Sequence, residues 1–324
     1  MTVEYRALGR TGLHVSEIGF GAWGIGAAGS GWVGASEEES IQALRRAIEL
    51  GMNFIDTARG YGESERIVGK VMRSAHSPIH VATKVPPLNG RWPAPRGVDP
   101  MEAFPGRHIR ASLETSLSAS GLEAFDILQF HVWSDDWVGR GDWLETIADL
   151  KREGKIRFFG VSINDYQPDN ALALIATGQL DTVQVIYNIF HQRPGQSLLP
   201  ACAEHNIGVI VRVALDEGGL TGRVKAGSTF PEGDFRSRFF RGDRPAQVEA
   251  RVDALVTDLG IGHEQLAETA LRYVLTSPEV STVIPGMRTV ANVERNAAVG
   301  DGRPLPREWM AKLAGHAWER NFYE

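Results

Sequence analysis

The stretch FIDTARGYGESE, residues 54–65, carries the pattern that decides the fold. It opens with the apolar pair Phe54 and Ile55, which is typical of the end of a buried strand. Asp56 follows directly, and a glycine-rich loop then presents Tyr61 ahead of a helical pattern. A strand, a polar strand end, a loop and a helix in this order predict one β–α unit of a parallel sheet.

The same unit recurs along the chain. Between the strand-like runs lie helical patterns such as EEESIQALRRAIELG at 37–51, where Ser36 and Glu39 predict a capping box and Gly51 predicts the end of the helix. The strand-like runs are SEIGFGAW (16–23), NFIDTA (53–58), IHVATKV (79–85), FDILQFHVW (125–133), IRFFGVSI (156–163), DTVQVIYN (181–188), GVIVRVAL (208–215) and STVIPG (281–286). Eight such units in 324 residues predict an α/β fold, a (β/α)₈ TIM barrel, with a doubly wound sheet as the alternative.

Two segments fall outside this repeat. YRALGRTGLHVSE (5–17) has two short alternating runs around a glycine turn, which predicts a β-hairpin at the bottom of the barrel. VEARVDALVTDLG (248–260) predicts an extra helix. No linker-like segment divides the chain, so residues 1–324 are expected to form a single barrel domain.

Composition excludes several classes of protein. The net charge of -6 disfavours a nucleic-acid surface. No apolar run approaches the ~20 residues that cross a bilayer, and the first residues lack the apolar core of a signal peptide. With one cysteine, Cys202, neither an internal disulfide nor a cysteine-built metal site is expected. These features predict a cytoplasmic protein, and they leave the oligomeric state open. The metal-binding motifs HExxH and CxxC are both absent, so no metal is expected.

The glycine motif G-x-G-x-x-G occurs at 19–24, where it suggests a dinucleotide-binding turn. In that motif the third glycine opens a helix, whereas here further glycines follow and the helical pattern starts only after Ser36. The interpretation as a Rossmann fold is therefore disfavoured.

Titratable residues end three successive strand-like runs: Asp56, Lys84 and His131, with Tyr61 one loop away. Each alone has a structural explanation, such as a turn cap, a solvated strand-end charge, a core histidine or loop packing. Because barrel active sites lie at the carboxyl ends of the strands, their convergence predicts a catalytic site. A phenol with a cation beside it is suited to protonating an alkoxide as it forms from a carbonyl. A Schiff-base aldolase using Lys84 is an alternative for a bare barrel.

The segment DTARGYGESE resembles the signature of the aldo-keto reductases, whose barrel opens with a hairpin and whose tetrad is Asp, Tyr, Lys and His. Asp56, Tyr61, Lys84 in ATKV and His131 in QFHVW match that tetrad in order and spacing. The resemblance implies an NAD(P)H-dependent oxidoreductase that reduces an aldehyde or ketone to an alcohol. Tyr61 would be the general acid, Lys84 would lower its pKa, Asp56 would anchor Lys84, and His131 would orient the carbonyl.

Other segments resemble the family's cofactor site: GFGAWG (19–24), GVS (160–162), VQVIYN (183–188), LDEGGLTG (215–222) and IPGMRTVANVERN (284–296). Gln184 matches the glutamine that holds the nicotinamide carboxamide. The cofactor contacts that the resemblance implies are Gly21, Trp23, Asp56, Ser162, Asn164, Gln184, Arg212, Leu215, Gly218, Leu220, Gly222, Arg288, Asn292 and Asn296. NADPH is expected because Arg288 can pair with a 2′-phosphate, with NADH as the alternative.

The chain also departs from the family pattern. Ile163 stands where Asn is usual, so the carboxamide contact is expected to shift to Asn164 or to be lost. Arg212 stands where an aromatic commonly stacks on the nicotinamide in the family. It is expected to replace that stacking surface, to reach the pyrophosphate, or to pair at the rim with Asp216 or Glu217. A cofactor-binding regulatory subunit of the same fold is a further alternative. The long loop 86–107 is expected to overhang the barrel mouth.

Overall fold

The computed structural model describes residues 3–26, 31–34, 36–75, 77–319 and 321. The first element is the predicted hairpin, in which β1 (Tyr5–Ala7) pairs antiparallel with β2 (His14–Ser16). Its turn lies against the barrel: Gly9 has φ +50°, and a β-carbon there would lie 2.2 Å from the Gly208 nitrogen. Glycine is required at this close approach because it has neither the β-carbon nor the penalty for a left-handed backbone.

The eight predicted strands are all present and parallel, and each pairs with the next along the chain. They are β3 (Phe20–Gly21), β4 (Phe54–Asp56), β5 (His80–Val85), β6 (Phe125–Phe130), β7 (Ile156–Ser162), β8 (Thr182–Ile186), β9 (Gly208–Arg212) and β10 (Thr282–Val283). Bridges from Ile18 to Val283 and from Gly21 to Gly286 join the first strand to the last. This cyclic order confirms the (β/α)₈ barrel over the doubly wound sheet.

The hairpin fills the amino-terminal end of the barrel, as expected. Its apolar side chains pack against residues that line the inside of the strands, in a buried cluster of Leu8, Leu13, Val15, Phe54, Ala82, Ile127, Ile210 and Ile284. Because this end is plugged by side chains, the open mouth is the opposite end, where the strands finish.

Helices cover the outside of the sheet. They are α1 (Glu37–Glu49), α2 (Ser64–Met72), α3 (Pro100–Ala103), α4 (Gly106–Ser120), α5 (Trp143–Arg152), α6 (Leu172–Ala176), α7 (Leu198–Glu204), α8 (Phe235–Phe239), α9 (Arg244–Leu259), α10 (Leu266–Leu275), α11 (Val290–Ala297) and α12 (Arg307–Ala314). The capping box predicted for α1 forms between Ser36 and Glu39. The extra helix predicted at 248–260 is α9. Among the described helices, none is both long and apolar enough to cross a membrane.

The glycine motif at 19–24 does not form a dinucleotide-binding turn. After β3 the chain enters a short 3₁₀ turn, Ala22–Ile25, and the next helix begins only at Glu37. Gly21 instead allows close contact with the last strand, since a β-carbon there would lie 2.5 Å from the Ile284 carbonyl oxygen.

Candidate active site

Lys84 lies at the centre of a cluster at the barrel mouth. It occupies the end of β5, and its side chain is fully buried. Lys84 Nζ donates to Asp56 Oδ2 at 2.5 Å, to the Thr57 carbonyl at 2.9 Å and to the Tyr61 hydroxyl at 3.2 Å. The ammonium group therefore joins the carboxylate at the end of β4 to the phenol in the following loop.

The loop after β4 brings Tyr61 back over its own strand. The Thr57 hydroxyl lies 2.8 Å from the Ser64 hydroxyl, which ties the start of the loop to the start of α2. The Tyr61 amide donates to the Ala58 carbonyl at 3.0 Å, and Gly62 takes a left-handed φ of +56°. The glycine permits this tight return, and the phenol thus reaches Lys84 within a few residues of Asp56.

Two glutamines complete the surroundings of Asp56. Gln184 Nε2 donates to Asp56 Oδ1 at 2.7 Å, and Gln129 Nε2 donates to the same oxygen at 3.2 Å. Gln184 also donates to Gln129 Oε1 at 3.2 Å. The sequence interpretation did not include Gln129, whose only signal was its place two residues before His131.

His131 approaches the phenol from the next strand. Its Nε2 lies 3.3 Å from the Tyr61 hydroxyl, and its ring packs edge-on against Trp92 with 4.5 Å between ring centroids. No donor or acceptor among the described residues reaches its buried Nδ1. Trp92 belongs to the loop 86–107, so this loop does reach the mouth. Phe104 from the same loop is instead buried and stacks on Phe130.

The electrostatics of the cluster favour a neutral histidine and a protonated phenol. Burial lowers the pKa of His131 well below 6.5, and the positive charges of Lys84 and Arg212 lower it further. Burial raises the pKa of Tyr61 above 10.0 and outweighs the opposing effect of the Lys84 charge. Burial acts to lower the pKa of Lys84, but the negative charges of Asp56 and ionised Tyr61 raise it overall. Lys84 thus lowers the pKa of Tyr61 as predicted, while the phenol remains a weak acid in the cleft.

A long cleft of about 1240 Å³ runs from this cluster across the barrel mouth. It brings most of the predicted cofactor contacts onto one surface, namely Gly21, Trp23, Asp56, Ser162, Gln184, Arg212, Leu215, Gly218, Gly222, Arg288, Asn292 and Asn296. The exceptions are Asn164 and Leu220, which are both buried away from the cleft lining.

Asn164 has a structural environment. Its Oδ1 accepts from the Ala94 amide at 3.1 Å, and its Nδ2 donates to the Ala94 carbonyl and to Gln167 Oε1, each at 3.0 Å. The side chain thereby fastens the loop 86–107 to the end of β7. These bonds favour the second expectation from the sequence, that the carboxamide contact at this position is lost.

Arg212 lines the cleft but pairs with a residue that the sequence interpretation missed. Its Nη2 lies 2.5 Å from Asp165 Oδ1 and donates to the Ile163 carbonyl at 3.0 Å. Of the two rim partners expected from the sequence, Asp216 instead forms a buried ion pair with Arg244. The signal available in the sequence was that Asp165 lies three residues after the family-like segment GVS (160–162).

The far end of the cleft is cationic and aromatic. Arg288 donates from Nη1 to the Val33 carbonyl at 2.7 Å, and its guanidinium lies 5.4 Å from the centre of the Trp32 ring. Trp32 Nε1 donates to Glu217 at 3.2 Å. Burial raises the pKa of Glu217 to about 7. Neither Trp32 nor Glu217 was predicted as a site residue, because their contact joins loops that are distant in sequence.

The cluster and the cleft lie at the end of the barrel where the strands finish, which is where barrel enzymes hold their active sites. The family model described as aldo/keto reductase family matches residues 17–317, and the chain belongs to this family. Its members use nicotinamide cofactors and small carbonyl substrates.

Individual relatives agree with this assignment. L-galactose dehydrogenase of Arabidopsis thaliana is 33% identical over 91% of this chain and 88% of its own. NADH-specific methylglyoxal reductase of Escherichia coli (strain K12) is 32% identical over 67% of this chain and 69% of its own. The holo form of aldo-keto reductase AKR11C1 from Bacillus halodurans is similar in structure, with a TM-score of 0.75 and 26% identity, over 99% of this chain and 100% of that chain.

Proposed function

We propose that this protein reduces an aldehyde or ketone to an alcohol with NADPH, and that Tyr61 supplies the proton. One observation carries the proposal: Lys84 Nζ lies between Asp56 and the Tyr61 hydroxyl, at 2.5 and 3.2 Å, and His131 Nε2 lies 3.3 Å from the same hydroxyl. A phenol held between an ammonium and a neutral imidazole can give its proton to an oxygen that becomes negative.

The residues of the chain account for the proton. As the carbonyl carbon accepts a hydride, its oxygen takes the Tyr61 proton, and the O–H bond of the phenol breaks while that of the alcohol forms. The phenolate left behind is stabilised by the charge of Lys84, and water then returns the proton. Asp56 keeps Lys84 protonated and in place, and neutral His131 can donate from Nε2 to the carbonyl oxygen and orient it.

The cleft fits a dinucleotide cofactor. It continues unbroken from Tyr61 to Asn296, and Ser162 and Gln184 line its inner part while Arg288 and Asn292 line its far end. Ser162 and Gln184 would hold the nicotinamide end, and the glycines of 218–222 allow close approach of the phosphates to the backbone. When bound, the reduced nicotinamide supplies the hydride.

The preference for NADPH rests on Arg288. A planar guanidinium can form paired hydrogen bonds with a phosphate, whereas NADH has no 2′-phosphate to offer. The relative named NADH-specific shows that members of the family differ in this choice.

The substrate class we favour is a small, oxygen-rich carbonyl compound such as a sugar or a dicarbonyl. The indole of Trp92 forms one wall beside His131, and Trp23 lies 6.3 Å from Tyr61 between ring centroids. Aromatic faces of this kind pack against the C–H faces of small hydroxylated molecules. The named relatives include an L-galactose dehydrogenase and a methylglyoxal reductase.

The Schiff-base alternative is not favoured. An aldolase lysine must lose its proton to attack a carbonyl, and this is usually achieved by a lowered pKa. Lys84 has a raised pKa and donates three hydrogen bonds from Nζ. The intact cluster likewise favours an enzyme over a purely regulatory subunit.

A screen of aldehydes, ketones, sugars and dicarbonyls with NADPH and NADH, followed by the absorbance of the reduced cofactor, tests the proposal. We expect consumption that depends on a carbonyl compound and falls in a Tyr61→Phe variant. Failure of every carbonyl class with both cofactors, or full turnover by Tyr61→Phe, would contradict it.

A further inference from the structure

Asp165 and Arg212 form an ion pair on the wall of the cleft. Asp165 follows the end of β7, Arg212 ends β9, and the two side chains are less than one-fifth exposed, at 17% and 18%. The guanidinium also donates to the Ile163 carbonyl. Salt screens a largely buried pair such as this one less than it screens a surface pair.

The backbone beside Arg212 is held in a strained conformation. Val213 has φ +55°, a value that is a genuine outlier for a β-branched residue. Its carbonyl accepts a hydrogen bond from Asn188 Nδ2 at 2.9 Å, and Val213 itself lines the cleft. Strain of this kind persists only where neighbouring contacts maintain it, and it is concentrated at functional sites. Asp165 thus positions the side chain of Arg212, and Asn188 holds the backbone of the next residue, Val213.

The charge of Arg212 reaches the reacting groups. Arg212 lines the same cleft as Tyr61 and His131, and its positive charge contributes to lowering the pKa of each. The two redox forms of the cofactor differ in charge, because the oxidised nicotinamide ring is positive and the reduced ring is neutral. A lone cation here would therefore oppose the oxidised form, whereas a neutral pair would not.

We propose that Asp165 balances the charge of Arg212 and thereby sets the relative affinity of the site for the oxidised and reduced cofactor. This inference rests on the proposed function, since it requires a nicotinamide at this end of the cleft. Asp165 is then a positioning and charge-balancing residue that allows an arginine to stand beside the nicotinamide without a strong bias toward the reduced form.

The test compares dissociation constants of NADP⁺ and NADPH, measured by quenching of tryptophan fluorescence on the full chain. Asp165→Asn keeps the shape of the side chain and removes its charge. We expect the ratio of the NADP⁺ to the NADPH dissociation constant to rise about tenfold, as for one unbalanced charge at ~10 Å in a medium of effective dielectric constant ~20. Arg212→Gln removes the positive member of the pair and should move the ratio in the opposite direction.

Asp169→Asn is the matched control. Asp169 lies on the same connecting segment as Asp165 and pairs with Arg193, but it does not line the cleft. Loss of its charge should therefore leave the ratio unchanged. A ratio that stays the same in both Asp165→Asn and Arg212→Gln, while the unaltered protein binds both cofactor forms, overturns the inference and leaves the proposed function standing. Failure of the unaltered protein to bind either form overturns both. The two variants are expected to shift the ratio in opposite directions, so either variant tests the inference if the other fails to fold.

Discussion

Replacing Lys84 by Met should separate the stabilising role of the buried cation from its role in proton transfer. The side chain is fully buried, and its loss leaves the Asp56 carboxylate without its ion-pair partner. Removing one member of a buried pair typically costs ~3–5 kcal/mol of unfolding free energy. Asp56 retains hydrogen bonds from Gln129 and Gln184, so we expect the lower end, about 3 kcal/mol.

The double variant Asp56→Asn, Lys84→Met removes both charges. We expect it to recover most of the lost stability, because no buried charge is left uncompensated. Turnover should stay low in both variants, since the phenolate of Tyr61 would form without a neighbouring cation. Urea unfolding followed by circular dichroism gives the stability, and oxidation of NADPH under saturating carbonyl substrate gives the turnover.

The ion pair of Lys84 and Asp56 also makes stability depend on pH in a defined direction. Because the folded-state pKa of Lys84 lies above its ordinary 10.5, the stabilisation is complete below pH 10.5 and is lost as the pH rises through the higher folded-state value. Two results would refute the reasoning: a Lys84→Met variant with unchanged unfolding free energy near neutral pH, or a double variant that regains turnover.

Three further predictions concern the same cleft. Tyr61→Phe should lower turnover ~10²–10⁴-fold with little loss of stability, as measured by steady-state kinetics and thermal unfolding. Tyr5 lies far from the cleft, so the control Tyr5→Phe should leave turnover unchanged. Because the pKa of Tyr61 is raised, the rate of reduction should be constant near neutral pH and decline only at alkaline pH. Equal pH profiles for Tyr61→Phe and the unaltered protein would contradict the assignment. Arg288→Ala should weaken NADPH binding far more than NADH binding, and equal losses in fluorescence titrations would argue against a phosphate contact. The pKa of Glu217 is raised from 4.5 to about 7, so ionising it opposes folding as the pH rises through that window. Glu217→Gln should therefore remove a loss of stability measured between pH 4.5 and 7, and an equal loss in both proteins would contradict this.

Local sequence patterns predicted the strands well, because each strand depends on residues close together in the chain. Strand-like segments rich in Val and Ile, each followed by a segment with helical periodicity, are typical of a buried parallel sheet. Asp56, Lys84 and His131 each directly follow or end such a run, so the barrel topology alone brings them to one mouth. The predicted ends of the runs were less accurate: the run at 16–23 narrows to the two-residue strand β3.

The contacts that were missed all join segments far apart in the chain. Its neighbours in sequence suggested that Asn164 contacts the cofactor. In the structure its side-chain amide forms hydrogen bonds with the backbone of Ala94 instead. Arg212 had several acidic residues nearby in sequence, but Asp165 from another strand end is its partner. Glu217 and Trp32 meet across the cleft and had no shared motif.

The sequence by itself determined the order of β–α units and the hairpin, because hydrophobic period and turn chemistry are local properties. The resemblance of its motifs indicated the family and the four residues of the candidate tetrad. Only the tertiary structure decided which charges pair, which polar groups have hydrogen-bond partners within the protein, and in which direction burial shifts each pKa. Pairing and desolvation depend on distances between strand ends that closure of the barrel sets, and hydrogen bonds and charge interactions change steeply over a few ångströms. Asp165 beside Arg212 is therefore a property of the closed barrel rather than of any stretch of the chain.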